Sequence, residues 1–378
     1  MKPKVLYTAS TYSHLWNFHR PYLAWFRRQG WEVHTAAGGD PGDLPEADQA
    51  VKLPFAKRMT APSNFRCAAL LGARMRREGY ELVVANTALA SFFTRLPLLG
   101  WKDRPRVVNL VHGYLFDADT PLPKRQVLLS AERLTAPCTD LLLTMNQSDL
   151  ALARHYSLGR QVLPVPGVGV PFGPVDAASK EEGFRLRADW DIPQDAFLLV
   201  YPAEFSRRKS QETLIRALAR LPERVWLLLP GQGDLWGSCQ DLAQSLGVAG
   251  RVRFPGQMPN ISVCLQAADC AVSASRSEGL PFNVMEAMRA GLPIAASDVK
   301  GHRDLLGDGC GVLYPYGDPA ALAAAVGLLL EDPDYRRKLG RAARAASEAY
   351  GLDQVFPQVT GALCQAAPEL LAPAGAAH

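Results

Sequence analysis

The sequence predicts an α/β protein built from two Rossmann-like domains. Three observations lead there. Short apolar runs alternate with amphipathic stretches along the whole chain, the order expected of parallel strands covered by helices. A dense Pro/Gly stretch, Leu163-Pro164-Val165-Pro166-Gly167-Val168-Gly169-Val170-Pro171, interrupts that alternation near the middle. The 378 residues, 48% of them hydrophobic, exceed one ordinary core and suit two.

In the first half, Val5–Ala9, Val33–Ala37, Leu82–Ala85, Val107–Val111 and Leu141–Thr144 read as buried strands. Helices are expected over Pro21–Gln29, where Gly30 is the stop, and over Arg66–Glu78 and Lys124–Ala136. In the second half the strands are Phe197–Pro202, Val225–Leu229, Val252–Phe254, Cys270–Ser273 and Pro293–Ala296. The helices there are Ser210–Arg220, Gly237–Leu246, Ile261–Ala268, Phe282–Ala290, Pro319–Leu330 and Asp334–Ala349. The Ala/Pro-rich tail from Ala366 is expected to fray.

Composition excludes several classes. With 21% charged residues and no long polar tract, the chain is not disordered. No apolar run approaches a membrane span. The basic start Met1-Lys2-Pro3-Lys4 has too short an apolar sequel for a signal peptide and reads as a first strand. Seven scattered cysteines, none spaced C-x-x-C, argue against a disulfide framework or zinc motif and for a reducing cytoplasm. Residues 1–170 hold 21 Lys/Arg against 13 Asp/Glu, while the remainder is net negative. Two readings of that basic half stand: an anionic partner such as a membrane surface or phosphate-bearing acceptor, or merely solvated helix faces. Trp25-Phe26-Arg27-Arg28 and Phe92-Phe93-Thr94-Arg95 are open to the same two readings. Nothing points to nucleic acid.

The chemistry concentrates in Glu278-Gly279-Leu280-Pro281-Phe282-Asn283-Val284-Met285-Glu286. Glu278 falls in the loop beyond the carboxyl end of a strand, where parallel sheets place their ligands. A helix opens at Pro281 or Phe282 and closes at Ala290, with Gly291 as cap. Its N-terminus suits a diphosphate, and Gly279 admits close approach of a ligand to the backbone. Glu286, about one turn in, has the reach for a pair of ribose hydroxyls. Spacing alone leaves an ordinary solvated loop and helix equally open. Asp117-Ala118-Asp119 has a D-x-D metal pattern but reads as turn chemistry beside Thr120-Pro121.

This stretch, with Gly291-Leu292-Pro293, resembles the E-x7-E signature of the retaining GT-B glycosyltransferases of family four, most closely the bacterial exopolysaccharide and capsule type. Tyr7-Thr8-Ala9-Ser10, Ser13-His14, Asn17-Phe18-His19, Val111-His112-Gly113-Tyr114, Pro166–Val170 and Ser297–Asp304 are similar to that group too, in the same order. The resemblance covers nearly the whole chain. It implies a GT-B fold, two Rossmann-like domains facing a central cleft: an acceptor domain over 1–168, a donor domain over 169–350, and a C-terminal segment, 351–378, that crosses back to the first domain. It implies transfer of a hexose or N-acetylhexosamine from a nucleotide sugar, UDP-linked, to a glycan acceptor, with no bound cofactor or metal. If the aromatic and basic segments lie against a membrane, the acceptor is a lipid-linked sugar and the contact is peripheral, at the inner leaflet.

The resemblance also implies roles. Glu278 contacts hydroxyls of the transferred sugar and Glu286 binds the ribose. Backbone amides of Leu280, Pro281, Phe282 and Asn283 surround the diphosphate, and Lys209 is the cation on the phosphates. His112 is a hydrogen-bond partner of the donor sugar. His14, Asn17 and His19 are acceptor-side candidates in the first βα loop. One departure stands out: at the donor site Glu204 occupies a position where many members carry Arg, although the exopolysaccharide-like group tends to carry Glu there; either Arg207 or Arg208 supplies the charge, or Glu204 has another role. An epimerase or phosphorylase on the same fold, and a non-catalytic nucleotide-sugar-binding protein, are the alternatives.

Overall fold

The computed structural model describes residues 2–117 and 120–368. The D-x-D stretch beyond Asp117 and the tail beyond residue 368 lie outside the described residues. The chain divides into two compact units, one of residues 1–169 and 353–378, the other Val170–Leu352.

The first unit runs β1 (Lys4–Thr11), α1 (Tyr12–Phe18), α2 (Arg20–Arg28), β2 (Glu32–Gly38), β3 (Gln49–Lys52), α3 (Pro62–Glu78), β4 (Leu82–Asn86), α4 (Ala88–Arg95), β5 (Arg106–Val111), α5 (Leu122–Thr135), β6 (Leu141–Thr144), α6 (Gln147–His155) and β7 (Gln161–Pro164). Among the described residues its sheet has seven strands in the order β3-β2-β1-β4-β5-β6-β7, and every pairing is parallel.

The second unit runs α7 (Gly173–Ala177), α8 (Lys180–Asp189), β8 (Phe197–Val200), α9 (Gln211–Leu218), β9 (Val225–Pro230), α10 (Trp236–Ser245), β10 (Val252–Gly256), α11 (Ile261–Ala267), β11 (Cys270–Ser273), α12 (Phe282–Arg289), β12 (Ile294–Ser297), α13 (Lys300–Leu306), β13 (Val312–Tyr314), α14 (Pro319–Glu331) and α15 (Pro333–Ser347). Its six-stranded sheet follows the order β10-β9-β8-β11-β12-β13. The last helix, α16 (Leu352–Ala366), belongs from Asp353 onward to the first unit, where Phe356 stacks on Tyr22 at 5.2 Å between ring centres.

Continuous apolar runs dictate these sheets. Phe197 and Leu199 of β8 enter one core while Leu198 and Val200 enter another, so the strand is buried on both faces. Alternation of polar and apolar residues is lost in such a strand, which is why it reads as an unbroken run. In each unit the strand order reverses once, between β1 and β4 and between β8 and β11. The loops leaving the carboxyl ends of those strands are where a parallel sheet offers a binding crevice.

Several expectations are corrected. The Pro/Gly stretch starts within β7, whose position at the edge of the sheet tolerates Pro164, and the boundary between the two units falls inside the same stretch, after Gly169. His14 and Asn17 lie on the short helix α1, not in a loop; Thr11 caps it by accepting from the His14 amide. The mixed aromatic and basic segments do not form surface patches. Trp25, Phe26, Phe92 and Phe93 are buried, and Arg95 is wholly buried against Glu132 at 2.8 Å, so only Arg27 and Arg28 face solvent. No described helix is long and apolar enough to cross a membrane. All seven cysteines are free.

Candidate active site

In the second unit the reversal between β8 and β11 sets two loops side by side. The loop after β8 carries Glu204 to Ser210, and the loop after β11 carries Ser275 to Pro281. Their side chains meet at Glu278, which is 8% exposed. Lys209 Nζ donates to its Oε1 at 2.5 Å, Ser275 Oγ to the same oxygen at 2.6 Å, and Arg208 Nη1 to Oε2 at 2.9 Å. Ser275 spends its hydrogen on Glu278, so Tyr201, 2.7 Å away, donates to Ser275 in turn. Burial alone would raise the Glu278 pKa, but Lys209 and Arg208 outweigh it and hold the carboxyl at about 2. Glu278 is therefore a fixed anion within a net positive cluster.

Helix α12 starts directly after this loop. Pro281 stands at its N-cap in extended conformation, and no side chain caps the helix. Val284, Met285, Ala287 and Met288 bury one face. Gly291, at φ +73°, then turns the chain in the left-handed region that suits glycine. The Asn283 amide donates to the Pro202 carbonyl at 3.0 Å, tying the start of α12 to the end of β8. Glu286, one turn in and half-buried, has no protein partner for its carboxylate among the described residues, and burial lifts its pKa to about 7. Two carboxylates eight residues apart thus have opposite electrostatics, one neutralised by cations and one left bare.

Glu204 is exposed on the loop after β8, and among the described residues only its carbonyl is engaged, by Gln211. Of the two candidate arginines, Arg208 reaches Glu278. Arg207 points to a separate cavity of about 390 Å³ with Gln211, Arg276 and Tyr316 in its wall.

Three supports of this site escaped the sequence reading as supports. A Cβ on Gly301, at the start of α13, would lie 2.6 Å from the Gly279 carbonyl oxygen and 2.9 Å from that of Glu278, so only glycine lets α13 pack under the loop. His302, fully buried, lies 3.1 Å from Ser273 Oγ and 2.7 Å from the Ser297 carbonyl, and Ser297 Oγ donates to the Ser275 carbonyl at 2.6 Å. Gly231 and Gly233 let the loop after β9 run against the one after β8, with Ala203 and Phe205 amides donating to Pro230 and Gln232. The Gly301-His302 pair was visible in the sequence as a motif, but its packing partner was not.

The first unit has its own cluster. His112 follows β5, and Gly113 behind it adopts φ +115°. His14 Nε2 lies 3.3 Å from His112 Nε2 and 3.3 Å from His19 Nε2. Burial lowers the His14 pKa to about 4. It pushes His19 and His112 well below the usual imidazole range, with the neighbouring histidines adding to the effect. All three are therefore neutral at pH 7. Asn17 is exposed on α1 and stays outside the cluster. Beside it, Thr87 holds φ +63°, rare for a β-branched residue, and its hydroxyl accepts from the Ser10 amide at 3.0 Å.

Comparison with known proteins identifies the family and the fold. Residues 184–346 match the family model described as glycosyl transferases group 1, and residues 22–165 match the model described as glycosyltransferase family 4. A Bacillus subtilis protein named as a glycosyltransferase, EpsD, is 33% identical over 91% of this chain and 92% of its own. Among solved structures, sucrose-phosphate synthase from Thermosynechococcus elongatus superposes with a TM-score of 0.79 at 22% identity, covering 96% of this chain and 99% of that one. Anabaena HepE in complex with UDP-glucose gives 0.77 at 20% identity, over 96% and 99%. At such identities the structural likeness establishes the GT-B fold.

Proposed function

The chain belongs to the family 4 glycosyltransferases, and on that premise we propose that it moves a hexose or N-acetylhexosamine from a UDP-sugar to a lipid-linked glycan acceptor, retaining the anomeric configuration, in polysaccharide biosynthesis. The observation that carries this reading is the pairing of a cation-bound Glu278 with a partnerless Glu286 around the uncapped start of α12. The UDP-glucose bound to HepE supports the choice of donor.

In this reading the diphosphate sits at the N-terminus of α12, where the backbone N–H groups of the first turn and the helix dipole favour an anion. Glu286 accepts the two ribose hydroxyls. Lys209 and Arg208 stabilise the charge that grows on the departing phosphate. Glu278, kept ionised by the same two cations, accepts hydrogen bonds from the transferred sugar and fixes its position. Arg208 thereby supplies the charge that Glu204 does not. No side chain serves as nucleophile. The acceptor hydroxyl forms the new C–O bond on the face from which the phosphate leaves, and its proton passes to the departing phosphate oxygen. His112 hydrogen-bonds the sugar as a neutral group. The transfer step uses no resident metal, so EDTA-treated protein should turn over at the untreated rate.

A contact with the inner membrane leaflet is part of the proposal, at a different place from the buried aromatic segments. Leu122, Val127 and Leu134 are exposed along α5, interleaved with Lys124, Arg125 and Arg133. Such a surface suits an anionic bilayer. Vesicles with anionic lipid should sediment the protein at low salt; equal recovery on neutral vesicles would remove the membrane contact.

The test of the whole reading is a panel of nucleotide sugars offered with a lipid-linked oligosaccharide acceptor, the product's anomeric configuration being read by NMR. One UDP-sugar should be consumed with UDP released and the configuration kept. An inverted product would overturn the mechanism. Interconversion of the sugar without UDP release would indicate an epimerase.

A further inference from the structure

The histidine cluster of the first unit has an arrangement that hydrogen bonding among the rings does not explain. His14 Nε2 stands in the middle, 3.3 Å from both His112 Nε2 and His19 Nε2. A ring nitrogen carries either one hydrogen or one lone pair, never both. If His14 Nε2 is protonated, one hydrogen must be divided between two acceptors. If it is not, one lone pair must serve two donors. Three nitrogens turned toward a common point therefore compete for a single hydrogen-bonding position, and no carboxylate or amide enters the group to relieve them.

We infer that His14, His19 and His112 form a binding site for a divalent transition metal of the zinc class, each giving Nε2 as a ligand. The spacing of the nitrogens supports it. Zinc–imidazole bonds of about 2.0–2.1 Å in tetrahedral geometry place ligand nitrogens about 3.3–3.4 Å apart. Two of the three separations already match, and all three ligand atoms lie within 4.8 Å of one another. A rotation of one ring brings the third into range. Neutral imidazole presents the lone pair that a metal requires, and imidazole nitrogen suits zinc, copper and nickel while hard cations such as magnesium prefer oxygen. Three protein ligands leave the fourth position of a tetrahedron to water or to an oxygen of a bound molecule.

The surroundings also set the strength. Histidine ligands ordinarily donate their second ring N–H to a carboxylate or carbonyl. His19, 1% exposed, has no partner for Nδ1. Losing that support typically weakens a site about 10–100-fold, which places the expected zinc affinity in the range of about micromolar instead of the tighter range of structural sites. The site is thus one that fills and empties with the supply of metal, and a bound metal would occupy the His112 Nε2 that the proposed function turns toward the donor sugar. Its test needs no sugar transfer.

The metal-stripped protein should bind one equivalent of cobalt(II), giving the intense visible d–d bands of a tetrahedral ion, and zinc should displace it. His14→Ala and His19→Ala should each weaken binding by about 100-fold or more, with circular dichroism and the thermal melt showing that the variants are folded. Because buried His19 is the substitution most prone to unfold the unit, a second measurement uses the wild type alone: zinc should protect His14 and His112, the two partly exposed rings of the cluster, from diethyl pyrocarbonate. Cys364 is the partly exposed cysteine, and Cys364→Ser should bind as the wild type does. Octahedral cobalt spectra, sulfur-to-cobalt charge-transfer bands, or binding undiminished in the histidine variants would overturn the assignment.

Discussion

The two units use the same strand order around their reversal points, yet they arm them differently. In the second, the loops after β8 and β11 bring one carboxylate between two cations. In the first, the segments after β1 and β5 bring three imidazoles together with no ionised partner. Burial acts on all these groups in the same direction, toward the uncharged form. Partners decide the outcome. Glu278, with Lys209 and Arg208, stays ionised at about 2; Glu286, alone, rises to about 7; His14, alone among histidines, falls to about 4. A shared scaffold therefore specifies where chemistry can occur, and a few loop side chains specify which chemistry it is.

The sharpest way to break this contrast is to remove the cation that makes the second unit's cluster ionic. Lys209→Ala should lower kcat/KM by about 10³-fold, the scale of losing one preorganised charge donor in a transition state. Arg208→Ala should cost about tenfold and Arg207→Ala nearly nothing. Equal effects of the two arginines would show that the geometry around Glu278 does not govern the charge.

His112→Ala carries the next largest expected effect, a fall in turnover of about 10²-fold with UDP affinity unchanged, since UDP binding is assigned wholly to the second unit. Turnover near the wild-type rate would refute the role of that histidine. Gly301→Ala should act through the loop it supports. Its Cβ would press on the Gly279 carbonyl, and donor affinity should fall about tenfold with a stability loss of about 1–3 kcal/mol.

The smallest effect is a pH dependence. The Glu286 carboxyl is raised to about 7, above its ordinary 4.5. The folded protein thus favours its protonated form, and the contribution to stability is full below pH 4.5 and is lost as pH rises through 7. Glu286→Gln should flatten that decline in melting temperature. Ribose hydroxyls donate better to the ionised form, so UDP affinity of the wild type should rise from pH 6 to 8, whereas that of Glu286→Gln should not. An affinity that falls over this range would contradict the assigned contact.

Much of this was legible in the chain itself. The apolar runs located the central strands, and Glu278, Phe282, Glu286 and Gly291 were placed on the correct loop, helix and cap. What was missed has physical causes. Tyr12–Phe18 is a single short helix of poor helix formers, held by the Thr11 cap and its packing, so local propensity did not reveal it. The edge strand β7 was hidden by its proline. The meeting of His14 and His112 spans 98 residues of sequence, and the approach of Gly301 to Gly279 is a contact between elements. Neither leaves a periodic signature. The choice between Arg207 and Arg208 depended on the turn of one loop, which adjacent positions in a sequence cannot distinguish.

The most direct test of the central claim, that the Glu278 and Glu286 stretch of the second unit is the donor site, is calorimetric titration with UDP of the wild type, Glu286→Ala and His112→Ala. The account predicts that wild type and His112→Ala bind with equal affinity and that Glu286→Ala loses binding by at least about tenfold. Unchanged binding in Glu286→Ala, from a protein that remains folded, would contradict it.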